Sequence, residues 1–366
     1  MNARRRFVLA SGAVLGVGAL GRAAFSQSPA MKMPVVDTLT VRVLVDSSYD
    51  TPKVPASTVV KVRRAGLASP ANFRKTLHNE WGLALALESR IGVDARNFLL
   101  DFGYTPEALM GNMETIGVDP IKAQALILSH GHFDHFGGLI DYLKVQRSRL
   151  PTDLTLYVGG EDNFCNRRVF GQTPGQFSDW GVLDRRELEA LKVKVVKCEQ
   201  PTVMLGHAFT TGNIARKSFE RVLPNTQVSY RKDANGLGCS MPAEDAKANG
   251  QFVQDQHVNE HATCFNVKGR GLVVISSCGH AGIVNTVRQA IAVSGEKDVH
   301  AVMGGFHLFP APDDYVAQTV AELKSLGPDV IIPLHCSGPN MAEALRRMMP
   351  DQYLPSTTGT EFTFGA

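Results

Sequence analysis

From His130 to His135 the sequence reads HGHFDH, three histidines and one aspartate within six residues. Imidazole nitrogen is a favoured ligand for zinc, iron or nickel, and a carboxylate adds a harder oxygen donor. The apolar run before the cluster, Gln124–Ser129 (QALILS), reads as a buried strand. Side chains alternate along extended backbone, so His130 and His132 project to the same side. Gly131 lets the chain turn, which brings Asp134 and His135 back toward that pair. Four donors so arranged suffice for two adjacent metals with two donors each. A single histidine here would read as a surface or backbone-bonded imidazole; H-x-H-x-D-H directly after a buried strand reads as a metal pattern.

Similar side chains stand at the ends of other apolar runs. Asp101 closes NFLLD, Cys278 and His280 follow GLVVISS, His307 lies in GGFHL, and His335 and Cys336 follow DVIIPL. The elements that must position them are legible as alternating strands and helices. Strands are expected at Thr38–Val45, Gly82–Glu88, Asn97–Asp101, Gln124–Ser129, Leu154–Val158, Val193–Val196, Gly271–Ser277, Val299–Met303, Asp329–Leu334 and Glu361–Phe364. Helices are expected at Thr105–Ile116, which opens with a Thr-Pro-Glu start signal, and at Leu139–Arg149, Ile283–Val293 and Tyr315–Leu326. Asp46–Arg74 is polar and proline-bearing and reads as an irregular excursion. The middle, about 151–259, reads as an irregular insertion. No short-period internal repeat is present.

The 366-residue chain has a globular composition and a formal charge of +3. Residues 1–26 carry Arg4, Arg5, Arg6 and Arg22 and no acid, so losing them takes the charge from +3 to −1. A near-neutral chain gives no reason to expect nucleic acid or anionic lipid as a partner. The pattern Arg4-Arg5-x-Phe7-Val8-Leu9, followed by a glycine-interrupted apolar run and Ala24-x-Ser26, is that of a twin-arginine export signal with a cleavage site. That run is short for a membrane span, so no stable span is expected in the mature form. Periplasmic or secreted localisation follows, with the export machinery as one partner and a linker over 27–37. The six cysteines form no C-x-x-C pair, and their pairing is not readable from spacing.

LSHGHFDHFGG resembles the signature of the metallo-β-lactamase superfamily. EWGLALALE (80–88), LLDFG (99–103), NMETIGVDP (112–120), TTGNI (210–214), SSCGHAGIVN (276–285), GGFHL (304–308) and LHCSG (334–338) follow in order. Together they resemble the branch of dihydropterin-ribofuranosyl-aminobenzene phosphate synthase-like proteins. The resemblance implies an αββα sandwich over 38–366 with metals at one edge. It places His130, His132, Asp134 and His135 in the first metal motif, makes Asp101 the carboxylate that orients a metal-binding histidine, and makes His335 the last histidine ligand. The usual middle positions differ: Asn213 stands where a ligand is expected, and Cys278-Gly279-His280 stands where the bridging aspartate would be. His280 is therefore assigned as a ligand and Cys278 as an alternative one. His307 is left as substrate-facing group, ligand or backbone-bonded histidine. Arg216 matches an arginine able to hold an anionic substrate group in a bidentate contact. His207, His257 and His261 are given surface or packing roles, with lining of the site as the alternative for His261, which precedes the apolar ATCFNV. Trp81 replaces a histidine of the related branch, which changes a pocket wall or adds a core aromatic.

Neither a G-x-S-x-G nucleophile nor a P-loop is present, so metal must carry the reaction. The expected activity is hydrolysis of a small molecule's ester, lactone, amide or phosphoester bond. One or two divalent ions would be used, zinc first, with iron or manganese as alternatives. Asp134 would ligate and orient the nucleophile, and His307 would protonate the leaving group. A bond-forming biosynthetic enzyme and a non-catalytic metal-sensing module are the competing readings.

Overall fold

The computed structural model describes residues 32–365 apart from positions 51, 52, 67, 71, 172 and 242–250. The expected export signal and the first five residues of the linker therefore lie outside the described residues. Two large sheets face each other. The first runs, in spatial order, Lys194–Lys197, Thr155–Val158, Ala125–Leu128, Asp94–Leu100, Ala84–Ile91, Thr38–Val45, Thr360–Phe364 and Lys61–Arg64. The second runs Val203–Met204, Ala208–Thr210, Thr263–Val267, Gly271–Ser276, Val299–Gly304 and Val330–Pro333. Val35–Val36, in the stretch expected as linker, lies parallel to Asn266–Val267 at the side of the second sheet.

Three apolar interiors separate four layers. Leu126 and Leu128 point outward into a core with the helices Pro106–Ile116 and Leu139–Gln146, while Ala125 and Ile127 point inward between the sheets. In the second sheet, Val273 and Ile275 face inward. Val274 faces the helices Ile283–Ser294, Asp313–Leu326 and Gly338–Met348 through Val284, Val320 and Leu345. A strand buried on both faces needs apolar side chains at odd and even positions alike, which is why these strands read as unbroken apolar runs. Thr105 caps the first helix by accepting the Ala108 N–H, Pro106 opens it, and Gly117 ends it in the left-handed conformation.

The strand neighbours Asp94–Leu100, Ala125–Leu128 and Thr155–Val158 are mutually parallel, as are Gly271–Ser276, Val299–Gly304 and Val330–Pro333. Asp101, His130, Cys278, His307 and His335 all follow the carboxyl ends of these strands, at one edge of the sandwich.

Two expectations need correction. Residues 46–74 are not wholly irregular: Lys61–Arg64 pairs with Thr360–Phe364, and Ala68–Ser69 pairs with Asn72–Thr76. The middle segment builds a sheet of its own in the order Phe177–Asp179, Asn166–Phe170, Thr226–Ser229, Val253–Gln254. Its strands are two to five residues long, too short to show a period. A disulfide, Cys165–Cys239, ties this region together. Gly338–Met348 is a helix the sequence reading lacked, because its opening Gly-Pro reads as a turn while Pro339 in fact occupies the first turn.

Candidate metal centre

Asp101 organises the first half of the site. One of its oxygens accepts the Ser129 N–H at 2.9 Å; the other accepts the Ser129 hydroxyl at 2.8 Å and lies 2.7 Å from His135 Nδ1. Ser129 Oγ in turn lies 2.9 Å from His130 Nδ1. Through these bonds one carboxylate orients two imidazoles and leaves Nε2 of both His130 and His135 without a hydrogen-bond partner. His132 is turned the other way: its Nε2 lies 3.1 Å from Thr226 Oγ1 and 3.8 Å from Asp255 Oδ2, which leaves Nδ1 for a metal. Phe133–Phe136 forms one helical turn that carries Asp134 and His135 back toward the strand end, as expected from the glycine that precedes it.

The second sheet supplies the rest. His280 lies at 4.9 Å from His130 and 4.8 Å from His132, ring centre to ring centre. His335 Nδ1 is 2.9 Å from Ser47 Oγ, and its Nε2 is 3.3 Å from Asp134 Oδ2. Two adjoining donor sets result, His130/His132/His280 and Asp134/His135/His335, each with ligand atoms within 4.8 Å of one another. Cys278 stands within the same distance of His130 and His135. Every residue in these sets is buried.

Buried polar atoms normally find partners, and each one left bare costs about 1–3 kcal/mol. Here both ring nitrogens of His280, Nε2 of His130 and His135, and Oδ1 of Asp134 are bare. Burial, together with neighbouring imidazoles, holds His130 and His280 well below the ordinary histidine pKa, and burial brings His132 to about 4. Burial also opposes charge on His135, but Asp134 and Asp101 together hold its pKa above the ordinary value. The neutral imidazoles of His130, His132 and His280 fit one divalent metal, and the ionised Asp134 with His135 and His335, whose protons a metal would displace, fits a second. Asp134, His135 and His335 would hold one, and His130, His132 and His280 the other.

The structure assigns a place in the site to residues given other roles by sequence. His257 is not a surface or packing histidine: its ring stacks on His280 at 3.8 Å, and it shares a donor set with His132 and Asp255. Cys336 Sγ lies 3.1 Å from Cys278 Sγ, and these two cysteines form a further set with His307. His307 touches the site, with its ring 4.2 Å from His280 and Nδ1 3.7 Å from Cys278 Sγ. Arg216 is exposed and donates to the carbonyl of Gln256, the residue before His257. Asn213 is not in any of these sets; its side-chain oxygen accepts from Asn259. His207 is buried beneath the sandwich between Ser89 and Asp94, and His261 bonds the Leu128 carbonyl.

Backbone strain gathers here. Among the described residues, non-glycine positions with φ near +50° are Asp101, Lys192, Leu205, His257, His307 and His335. Four of these six belong to the site or orient it, in conformations that L-residues adopt only when their surroundings impose them.

The sequence profile of the metallo-β-lactamase superfamily matches residues 90–148, which hold Asp101 and the whole HGHFDH cluster. The chain is 27% identical over 274 residues to a 7,8-dihydropterin-6-methyl-4-(β-D-ribofuranosyl)-aminobenzene-5'-phosphate synthase of Methanocaldococcus jannaschii, covering 73% of this chain and 84% of that protein. An uncharacterised protein of the same organism is 25% identical over 257 residues, covering 68% of this chain and 82% of its own length. Among solved structures, a metal-dependent hydrolase of the β-lactamase superfamily superposes with a TM-score of 0.61 at 20% identity, covering 88% of this chain and 98% of that one. The two facing sheets, with the matched motif at their edge, are those of the metallo-β-lactamase fold.

Proposed function

We propose that the protein is a metal-dependent hydrolase of a small molecule carrying an ester, lactone, amide or phosphoester bond. The observation that carries this reading is the pair of adjoining buried donor sets whose nitrogen and oxygen lone pairs lack partners. A divalent metal held there would polarise a carbonyl or phosphoryl oxygen and acidify water. Zinc is the first choice, and the nearby Cys278 sulfur favours zinc or iron over manganese. The chain's own residues do the remaining work. Asp101 and Ser129 fix the ring orientations, Asp134 orients the nucleophile, and the unpartnered Nε2 of His307 is placed to give a proton to the leaving group.

Metal-loaded protein is expected to turn over at least one member of a panel of chromogenic esters, lactones and phosphodiesters. His307→Ala is expected to keep its metal and lose roughly 10²–10⁴-fold in kcat, whereas His280→Ala loses metal. The reverse pattern, an emptied His307→Ala and a full His280→Ala, would put the ligand on the wrong strand. A bond-forming activity is the second reading, favoured by the synthase whose length the chain covers to 84%. It is distinguished by the absence of turnover with any single substrate and water.

Export is part of the same proposal. The Cys165–Cys239 disulfide supports it, since such bonds persist chiefly in oxidising compartments, and no helix of the described residues is long and apolar enough to cross a membrane. Residues 1–30 fused to a folded reporter are expected to deliver it to the periplasm. Lysine at positions 4 and 5 should trap it inside, and continued delivery would argue against the twin-arginine route.

A further inference from the structure

Two large aromatic side chains stand partly in water side by side at the histidine cluster. Trp81 is 45% exposed and Phe309 is 44% exposed. Their rings meet edge to face at 5.4 Å, with an interplanar angle of 80°. Trp81 lies 5.0 Å from the His335 ring, and Phe309 lies 5.4 Å from the His307 ring. They form an open apolar corner against two site histidines from different strands.

Both rings are carried by loops that hydrogen bonds hold in place. Next to Trp81, the Glu80 carboxylate accepts the N–H groups of Tyr104 and Thr105 at 2.7 and 2.9 Å and the Thr105 hydroxyl at 2.7 Å. On its other side, Gly82 packs so tightly on the Asp134 carbonyl that a Cβ would sit 2.5 Å from the oxygen. The N–H groups of Leu308 and Phe309 both donate to the Cys336 carbonyl, and Asn340 donates to the Leu308 carbonyl at 2.7 Å. Each aromatic loop is thus tied to the chain beside a candidate ligand, Asp134 or His335. The corner keeps its distance from the centre with little ordering left to do on binding.

We propose that Trp81 and Phe309 form a preset binding corner for a flat, unsaturated ring, so that the substrate carries an aromatic or heteroaromatic group beside its scissile bond. A ring entering the corner stacks on one partner and presents its edge to the other, the two arrangements aromatic pairs prefer. The inference rests on the histidine cluster being the reacting centre, but its test needs no turnover.

The full mature chain, loaded with metal, is titrated calorimetrically with 2-naphthoate and with octanoate. These two ligands share a carboxylate and differ in having a flat ring or a flexible chain. Trp81→Ala and Phe309→Ala are each expected to weaken naphthoate binding about three- to tenfold, with octanoate little changed and Trp81→Phe close to wild type. Metal content, measured on the same samples, is expected to stay at the wild-type level. Three results would overturn the proposal: no naphthoate binding by the wild type at roughly millimolar concentration, equal losses for octanoate, or loss of metal along with naphthoate in both alanine variants. Failure of the hydrolysis panel alone would count against the reaction and leave the binding corner standing.

Discussion

His132→Ala is expected to lose about half or more of the metal that the wild type carries, by elemental analysis of protein purified without added metal. His132 belongs to two donor sets, one with His130 and His280 and one with Asp255 and His257, so its removal leaves each set short. Asp101→Ala provides the contrast. Asp101 holds the rings of His135 and, through Ser129, His130, but lies in none of the donor sets. Its loss is expected to weaken metal affinity roughly 10–100-fold while full stoichiometry returns at saturating metal. Unchanged metal content in His132→Ala would overturn the assignment, and irrecoverable loss in Asp101→Ala would make Asp101 a ligand.

Arg167→Met is expected to lower stability by about 3–5 kcal/mol, the range seen when one partner of a buried ion pair is removed. The guanidinium is fully buried. Its Nε donates to Asp255 Oδ2 at 2.5 Å, its Nη2 to Asp162 Oδ1 at 2.6 Å, and its Nη1 to the carbonyls of Gly131, Asp162 and Cys165. Burial alone would raise the pKa of Asp255, yet Arg167 holds it well below the ordinary carboxylate range. Asp162 already sits at about 6, pushed up by burial, and would rise further without the cation. At roughly 2–4 °C per kcal/mol for a large domain, the thermal midpoint should fall by about 6–20 °C. Arg167→Lys should recover only part of this, since one ammonium cannot reproduce the fork that spans two carboxylates. The variant should also bind metal less well, because Asp255 faces both His132 and His257. A melt indistinguishable from wild type would show that these charges are not interdependent.

The strands buried on both faces were legible because they need apolar residues at every position, and Ala125–Leu128 or Gly271–Ser276 admits no other reading. HGHFDH was legible because its donors are neighbours in the chain. Asp101, His280 and His335 were reachable only because each ends such a strand within a motif resembling the superfamily's. His257, Asp255 and Arg167 were not reachable. They come from the small sheet of two- to five-residue strands and the bend after it, where neither period nor motif marks them. The one available sign was the close spacing of Asp255, His257 and His261 in a polar loop, and all three are buried. Cys336 was seen beside His335, but its 3.1 Å approach to Cys278 depends on two strand ends meeting across the second sheet.

The left-handed backbone at Asp101, His257, His307 and His335 bears on how this protein could be made more heat-resistant. Each such position costs on the order of 1–3 kcal/mol, and glycine adopts the same backbone freely. Selection for heat resistance alone would therefore find relief at the very places that orient or supply the donors, and would trade the centre for a sturdier shell. Lys192 and Leu205 have the same backbone and belong to none of the donor sets; Lys192 is exposed, whereas Leu205 packs on the core between the sheets. Position 192 is where glycine can be tried without touching the chemistry or the core.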